Sequence, residues 1–146
     1  MNTIGTTSPA PAATRPTAVR VPGFDRTLEL EPGARAVALR NIPNTLQVFA
    51  THFPRQPILP GVMLLESMAA LAVAASGAPH AALRSVQRLK FHHFVQPGDQ
   101  VAITVELIAA TADGAEWRAE AAVDGRKVAS ARTLVLAYSD SCGEAL

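Results

Sequence analysis

The sequence has little cysteine and little charge, and each shortage narrows what the protein can be. Cys142 is the only cysteine, so no disulfide bond can form within the chain, which is compatible with a reducing cytosol. The formal net charge is +1, so the overall charge favours neither a nucleic acid nor a membrane surface as a partner. Charged residues make up 17% of the chain and hydrophobic residues 49%. This balance is typical of a globular chain with extensive burial or an oligomer interface.

Long uncharged apolar segments are also scarce. The most apolar helical run covers about seventeen residues from Pro60 to Ser76, near the lower limit for a membrane span, and Glu66 lies close to its centre. A buried helix is the better interpretation, and we expect a cytoplasmic protein.

Residues 1–20 lack the apolar core of a secretory signal. Their Thr, Ala and Pro content favours a disordered leader over an organelle transit peptide.

The length of 146 residues indicates one domain with a real hydrophobic core. We predict a disordered leader at 1–20, a folded domain at 21–138 and a flexible tail at 139–146. No internal repeat of solenoid length is present.

Alternating apolar residues predict antiparallel strands in both halves of the folded domain. Residues 26–31 and 35–41 flank Pro32-Gly33 and are typical of a hairpin. Leu28 and Leu30 alternate in the first run, and Val37 and Leu39 continue the alternation in the second. Further strands are predicted at 83–91, 101–107, 117–123 and 126–138.

Proline and glycine mark the ends of one helix between these two groups of strands. Pro60 suits the first helical turn, because its missing N–H would be unpaired there anyway. Gly77 provides a stop. The helix between them is apolar nearly all round, so we expect other structure to surround it. Together these elements predict an α+β fold, with a curled antiparallel sheet wrapped around one long central helix.

Glu66 is the only formally charged residue between Gln56 and Leu83. Burying an unpaired carboxylate costs several kcal/mol, so such a residue is usually neutral, paired or functional. His52 lies fourteen positions earlier, and a histidine can remove a proton near neutral pH. A carboxyl group in apolar surroundings favours its protonated form and can donate that proton.

The start of the helix adds a third chemical group to these two. Backbone N–H groups at Gly61 and Val62 stand at the positive end of the helix dipole, where they can hold a carbonyl oxygen that gains negative charge. A base, an acid and an oxyanion site suit removal of a proton next to a thioester carbonyl, with loss of a β-hydroxyl as water. Glu66 lies roughly 9 Å along the helix from its start. Nothing in the sequence brings His52 to Glu66 of its own chain, whereas a site shared across a homodimer would.

Residues 52–66 read HFPRQPILPGVMLLE, which resembles the motif of 3-hydroxyacyl-[acyl carrier protein] dehydratases of the FabZ type. The similarity continues in 28–39 and 91–100 and covers about 22–137. The resemblance implies a hot-dog fold and a homodimer, which in the family is often built into a trimer of dimers. It also implies an acyl group carried on the phosphopantetheine arm of an acyl carrier protein. No metal and no organic cofactor is expected.

The same resemblance assigns roles to individual residues. His52 is the expected catalytic base, and Glu66 of the partner subunit is expected to act on the leaving hydroxyl. The N–H group of Gly61, with Val62 beside it, is expected to polarise the thioester carbonyl. The remaining substrate-binding positions are Phe53, Arg55 and Pro60. The predicted reaction converts (3R)-3-hydroxyacyl thioesters to trans-2-enoyl thioesters, in fatty-acid or polyketide biosynthesis.

Three positions depart from the family pattern. Thr51 and Arg55 stand where the family usually has glycine, and Ala70 stands where it usually has glutamine. These changes favour a specialised relative, from a dedicated polyketide or polyene pathway. Two alternative functions remain: a hot-dog acyl thioesterase, or a degenerate subunit that binds acyl chains or completes a heterodimer.

Arg84, Arg88 and Lys90 form a basic run on a predicted strand. One interpretation is a solvated strand face. The other is that these three residues dock an acidic carrier protein.

Overall fold

The computed structural model describes residues 20–43, 59–78 and 80–139, which form one helix and six strands. In chain order the elements are β1 Arg26–Glu31, β2 Arg35–Asn41, α1 Gly61–Ser76, β3 Ala81–Phe91, β4 Gln100–Ala110, β5 Gly114–Val123 and β6 Arg126–Tyr138. All strands pair antiparallel, in the spatial order β1-β2-β4-β5-β6-β3. The predicted α+β architecture, with one helix packed against an antiparallel sheet, is confirmed.

The two ends of α1 follow from proline and glycine. Pro60 is extended, with φ −61° and ψ 140°, and the helix begins at the next residue. Gly77 ends the helix with φ 73°, a left-handed conformation that glycine adopts without a Cβ clash. The N–H of Gly33, in the β1–β2 turn, donates to the carbonyl of Ala75 at 2.7 Å. This bond satisfies a carbonyl that the helix end would otherwise leave unpaired, and it ties the hairpin turn to α1.

One face of α1 packs on the sheet. Leu64, Met68 and Leu71 are at most 2% exposed, and their spacing repeats about every turn of an α-helix. Across from them, Trp117 is fully buried. The strands alternate as expected for a sheet with one buried face. The buried positions of β4 and β5 are Val101, Ile103, Val105, Gly114, Ala115, Trp117, Ala119, Ala121 and Val123.

The opposite face of α1 corrects the expectation of a surrounded helix. Val62, Glu66 and Ala70 are exposed, and their spacing of four residues places them along one side. Within residues 20–43, 59–78 and 80–139, the sheet covers one side of α1, so the apolar composition of the helix does not mean burial all round. The exposed stripe is an apolar surface with one carboxylate in its middle.

The first hairpin forms as predicted, but its buried positions differ from the alternation of large apolar residues. Ala36 and Ala38 are fully buried in β2, whereas Val37 and Leu39 are half-buried. In β1 the register shifts between Thr27 and Glu29, and Thr27 is buried. Small residues therefore occupy the face of β2 that meets the helix.

β3 is an edge strand of the sheet. Within the described residues β3 pairs with β6 alone, so its second edge carries no strand in a single chain. In the same described ranges, no helix combines the length and the hydropathy needed to cross a bilayer.

Candidate functional site

The start of α1 presents backbone donors beside an apolar surface. Pro60 has no side-chain oxygen, and among the described residues no side chain forms a cap bond at this end of the helix. Because the first N–H groups of an α-helix have no partner inside it, those of Gly61 and Val62 are available to an external acceptor. The N–H of Leu59 donates to the carbonyl of Val95 at 2.7 Å, which holds the approach to the helix against the β3–β4 loop.

Phe91, at the end of β3, lies directly over Gly61. A Cβ built on Gly61 would stand 2.6 to 2.9 Å from three atoms of the Phe91 ring. Carbon atoms in contact are normally separated by about 3.5–4.0 Å, so only glycine fits beneath this ring without movement. The ring thus fixes how close the sheet comes to the helix start.

Large apolar side chains around this point remain accessible. Val62 is 58% exposed, Phe91 49% and Phe94 72%. Phe94 precedes Val95, whose carbonyl accepts the hydrogen bond from Leu59. The three exposed side chains therefore lie around the same end of α1. The candidate oxyanion donors therefore border an apolar surface suited to an acyl chain or to a partner chain.

Glu66 lies one helical turn after Val62, on the side of α1 that faces away from the sheet. It is exposed in the single chain, so the described part of its own chain does not give this carboxyl group apolar surroundings. The reason is helical periodicity: Leu64, Met68 and Leu71 take the core-facing positions, and Glu66 falls between them on the other side. A second chain on this face would be required to place the carboxyl group in apolar surroundings.

The sequence interpretation missed a polar contact next to Glu66. Arg40 lies two residues beyond Ala38 on the same face of β2, and its Nη1 donates to Oγ of Ser67 at 2.6 Å. Ser67 is only 6% exposed. The sequence offered one signal for this contact: Arg40 continues the two-residue alternation of the small residues that are buried in β2. This bond joins β2 to α1 at the residue that follows Glu66.

Four of the seven predicted catalytic and substrate-binding residues lie in the described ranges: Pro60, Gly61, Val62 and Glu66. His52, Phe53 and Arg55 lie outside them, as does Thr51. The pairing of His52 with Glu66 therefore stays a prediction.

The three residues of the basic run are all exposed. Arg88 and Lys90 line a depression of about 240 Å³, and Arg84 is not part of that lining. Carrier-protein docking by this run stays a prediction.

Comparison with known families gives a match over most of the folded domain. The family model described as ApeI-like (ApeI dehydratase) matches residues 29–132. A 3-hydroxyacyl-[acyl-carrier-protein] dehydratase FabZ from Enterococcus faecalis is 40% identical over 114 residues, which cover 74% of this chain and 81% of that protein. A FabZ from Symbiobacterium thermophilum is 44% identical over 92 residues, covering 59% and 65%.

Solved structures share the fold at low sequence identity. The dehydratase heterocomplex ApeI:P from Xenorhabdus doucetiae matches with a TM-score of 0.62 and 23% identity, over 75% of this chain and 92% of that one. A hypothetical thioesterase with coenzyme A from Streptococcus pneumoniae has a TM-score of 0.65 and 13% identity, over 82% and 91%. The predicted hot-dog fold is thereby confirmed.

Proposed function

We propose how the residues of this chain remove water, on the premise that the chain belongs to the ApeI-like dehydratase family. It is a hydro-lyase that dehydrates 3-hydroxyacyl-[acyl-carrier-protein] thioesters in fatty-acid or polyketide biosynthesis. His52 is the base, Glu66 of the partner subunit is the acid, and the N–H groups at Gly61 and Val62 hold the thioester oxygen. The observation that carries this assignment is the start of α1. There, uncapped donors, a glycine and an outward-facing carboxylate lie within about six residues.

The reaction is an elimination in which atoms and charges balance. His52 takes the proton from C2 of the (3R)-3-hydroxyacyl thioester, and the electron pair moves toward the carbonyl oxygen. Two N–H groups at the helix start stabilise the charge that develops there. Glu66 gives its proton to the C3 hydroxyl, the C3–O bond breaks, and water leaves as the trans-2 double bond forms. The proton on His52 then returns to Glu66, directly or through solvent, which restores both groups for the next turnover. Acid, base and oxyanion site suffice, so we propose that no metal and no organic cofactor takes part.

The partner subunit supplies Glu66 in this proposal because each chain turns that residue outward. The same side of α1 is apolar at Val62 and Ala70, and burial of apolar surface favours association. β3 also has an edge that could pair with a second chain. These features support a homodimer with two sites, which could assemble further into a trimer of dimers. We propose a cytoplasmic location, since the single cysteine suits a reducing compartment.

The leader at 1–20 and the tail at 139–146 are proposed to lie outside this catalytic domain.

Thr51, Arg55 and Ala70 lie around the proposed pair and depart from the family pattern. Because Arg55 adds a long charged side chain to the segment between Phe53 and Pro60, we propose that the three departures adapt the site to a specialised polyketide or polyene substrate.

Mass spectrometry of the intact carrier protein tests the reaction directly. The purified chain is incubated with a 3-hydroxyacyl group loaded on the acyl carrier protein of Enterococcus faecalis. Loss of one water from the carrier supports dehydration, and substitution of His52 by Ala is expected to abolish it. Release of the free carrier thiol would instead identify a thioesterase. No change of mass, with simple and with polyene 3-hydroxyacyl groups alike, would favour a degenerate subunit.

A second assembly is favoured by one comparison. The similar structure from Xenorhabdus doucetiae is a dehydratase heterocomplex. The second chain of the dimer could therefore be a different hot-dog protein, which would complete the site opposite Glu66. Gel filtration of the chain expressed alone distinguishes the two assemblies, because only a homodimer reaches twice 15.3 kDa without a second gene product.

A further inference from the structure

The face of the sheet opposite α1 carries a group of cations that the elimination does not use. Arg88, Lys90, Arg118, Lys127 and Arg132 line the depression of about 240 Å³, together with Ser130 and a single carboxylate, Glu120. We call these five basic residues and the space between them the cationic depression. It spans strands β3, β6 and β5, which are neighbours at one side of the sheet.

The charges of this depression are only partly neutralised. Lys127 pairs with Glu120 at 3.3 Å, and Arg118 lies 3.8 Å from Glu106. Among the described residues, Arg88, Lys90 and Arg132 form no salt bridge. Three positive charges are thus left to water or to an external anion.

Arg35, on the other side of the same face of the sheet, is by contrast a fully paired cation. Its guanidinium binds both Glu29 and Glu106. Burial acts to lower the pKa of Arg35, but the hydrogen bonds and charges of these two carboxylates outweigh it, and the pKa is raised. One side of the face is therefore balanced within the chain, and the side formed by β3 and β6 is not.

The backbone places two of the unpaired cations side by side. Gln87 faces Thr133 and Leu89 faces Ala131, so Arg88 and Arg132 occupy the facing positions between these pairs. Like charges directly opposite each other destabilise a sheet. An arrangement of this kind suits an anion that binds both guanidinium groups.

Arg88 also has an unusual backbone conformation, with φ 55° in the middle of a strand. Val86 and Leu89 both pack toward the core although they are three residues apart, so the alternation of β3 changes phase at this point. A non-glycine residue in the left-handed region costs about 1–2 kcal/mol. Strain of this kind is often found at functional sites, and here it leaves Arg88 on the outer face beside Arg132.

We propose that the cationic depression is the docking surface for the acidic acyl carrier protein, with Arg88 and Arg132 at its centre. This inference rests on the proposed function, which requires a carrier protein as acyl donor. The surface has the right charge for an acidic partner. It also has the right position: Lys90 is adjacent to Phe91, whose ring touches the start of α1 at Gly61. The depression therefore borders the strand end whose ring meets the helix start.

The test measures binding and turnover separately. Arg88→Glu/Arg132→Glu is compared with the parent chain and with Arg26→Glu, an exposed cation on β1 at the far edge of the sheet. Binding is followed by fluorescence anisotropy with labelled acyl carrier protein of Enterococcus faecalis. Turnover is followed with the same 3-hydroxyacyl group on that carrier and on a short pantetheine thioester that has no protein.

Reversal of both charges is expected to weaken carrier binding, and kcat/KM for the carrier-bound substrate, by roughly tenfold or more. The pantetheine thioester should react as with the parent chain, Arg26→Glu should behave as the parent, and the loss should shrink as salt is added.

Unchanged carrier binding in the double variant would overturn the docking proposal, as would an equal loss with both substrates. Tighter binding of a nucleic acid or of a second copy of the chain to this face would overturn it as well. A parent chain that binds the carrier through these arginines but removes no water would refute the proposed function and leave the docking surface intact.

Discussion

Substitution of Gly61 by Ala tests the contact between β3 and the start of α1. The added Cβ would stand 2.6 Å from the nearest atom of the Phe91 ring, about 1 Å inside a normal carbon contact. Either the ring moves outward, which its 49% exposure allows, or the helix start shifts. Overpacking of this kind costs about 1–3 kcal/mol. We expect the free energy of unfolding to fall by that amount in urea denaturation.

Activity should fall further than stability, because the oxyanion donors sit at the displaced residue. A misplacement of about 1 Å can reduce turnover roughly a hundredfold. The double variant Gly61→Ala/Phe91→Ala removes the clash, so its stability loss should be smaller than the sum of the single losses, by at least about 0.5–1 kcal/mol.

Gly77→Ala, at the other end of the same helix, is the matched control. Its φ of 73° makes alanine cost about 1–2 kcal/mol, but a Cβ there meets no atom of the described residues within 4 Å. Phe91→Ala should therefore add to it without coupling. If Gly61→Ala were as stable and active as the parent, or coupled to Phe91 no more than Gly77→Ala does, Phe91 would not set the position of the helix start.

Three further results are expected. Glu66→Gln should remove most turnover while changing the free energy of unfolding of the single chain by less than about 0.5 kcal/mol, because the residue is exposed. A loss of thermal stability in dilute protein large enough to explain the loss of activity would contradict this. Met68→Ala, which empties a fully buried position on the opposite side of α1, should cost about 2–5 kcal/mol in urea denaturation, and a loss below about 1 kcal/mol would speak against close packing on the sheet. Ala70→Glu places a second carboxylate one turn from Glu66, so it should shift sedimentation from a dimer toward 15.3 kDa, whereas an unchanged dimer would place the interface elsewhere.

The sequence predicted the order of elements because their signals are local. Pro60 and Gly77 define both ends of α1 through backbone geometry that requires no other part of the chain. The alternation in β4 and β5 is likewise visible in the sequence, since one face of each strand is buried.

Burial on α1 was harder to predict, because composition does not distinguish a helix covered by its own sheet from one covered by a second chain. Glu66 has the same apolar neighbours in both cases, and only the fold shows that it faces outward. The contact of Arg40 with Ser67 and the facing arginines of β3 and β6 depend on strand register, which no local pattern specifies.

The central claim is that His52 of one chain works with Glu66 of another, and mixing two inactive variants tests it most directly. His52→Ala and Glu66→Gln chains are denatured together in equal amounts, refolded, and assayed with the carrier-bound 3-hydroxyacyl substrate. If the site is shared, each mixed dimer contains one intact site, and activity should return to about a quarter of the parent value after random association. If His52 and Glu66 act within one chain, no mixed dimer contains an intact site, and the mixture would stay as inactive as either variant alone.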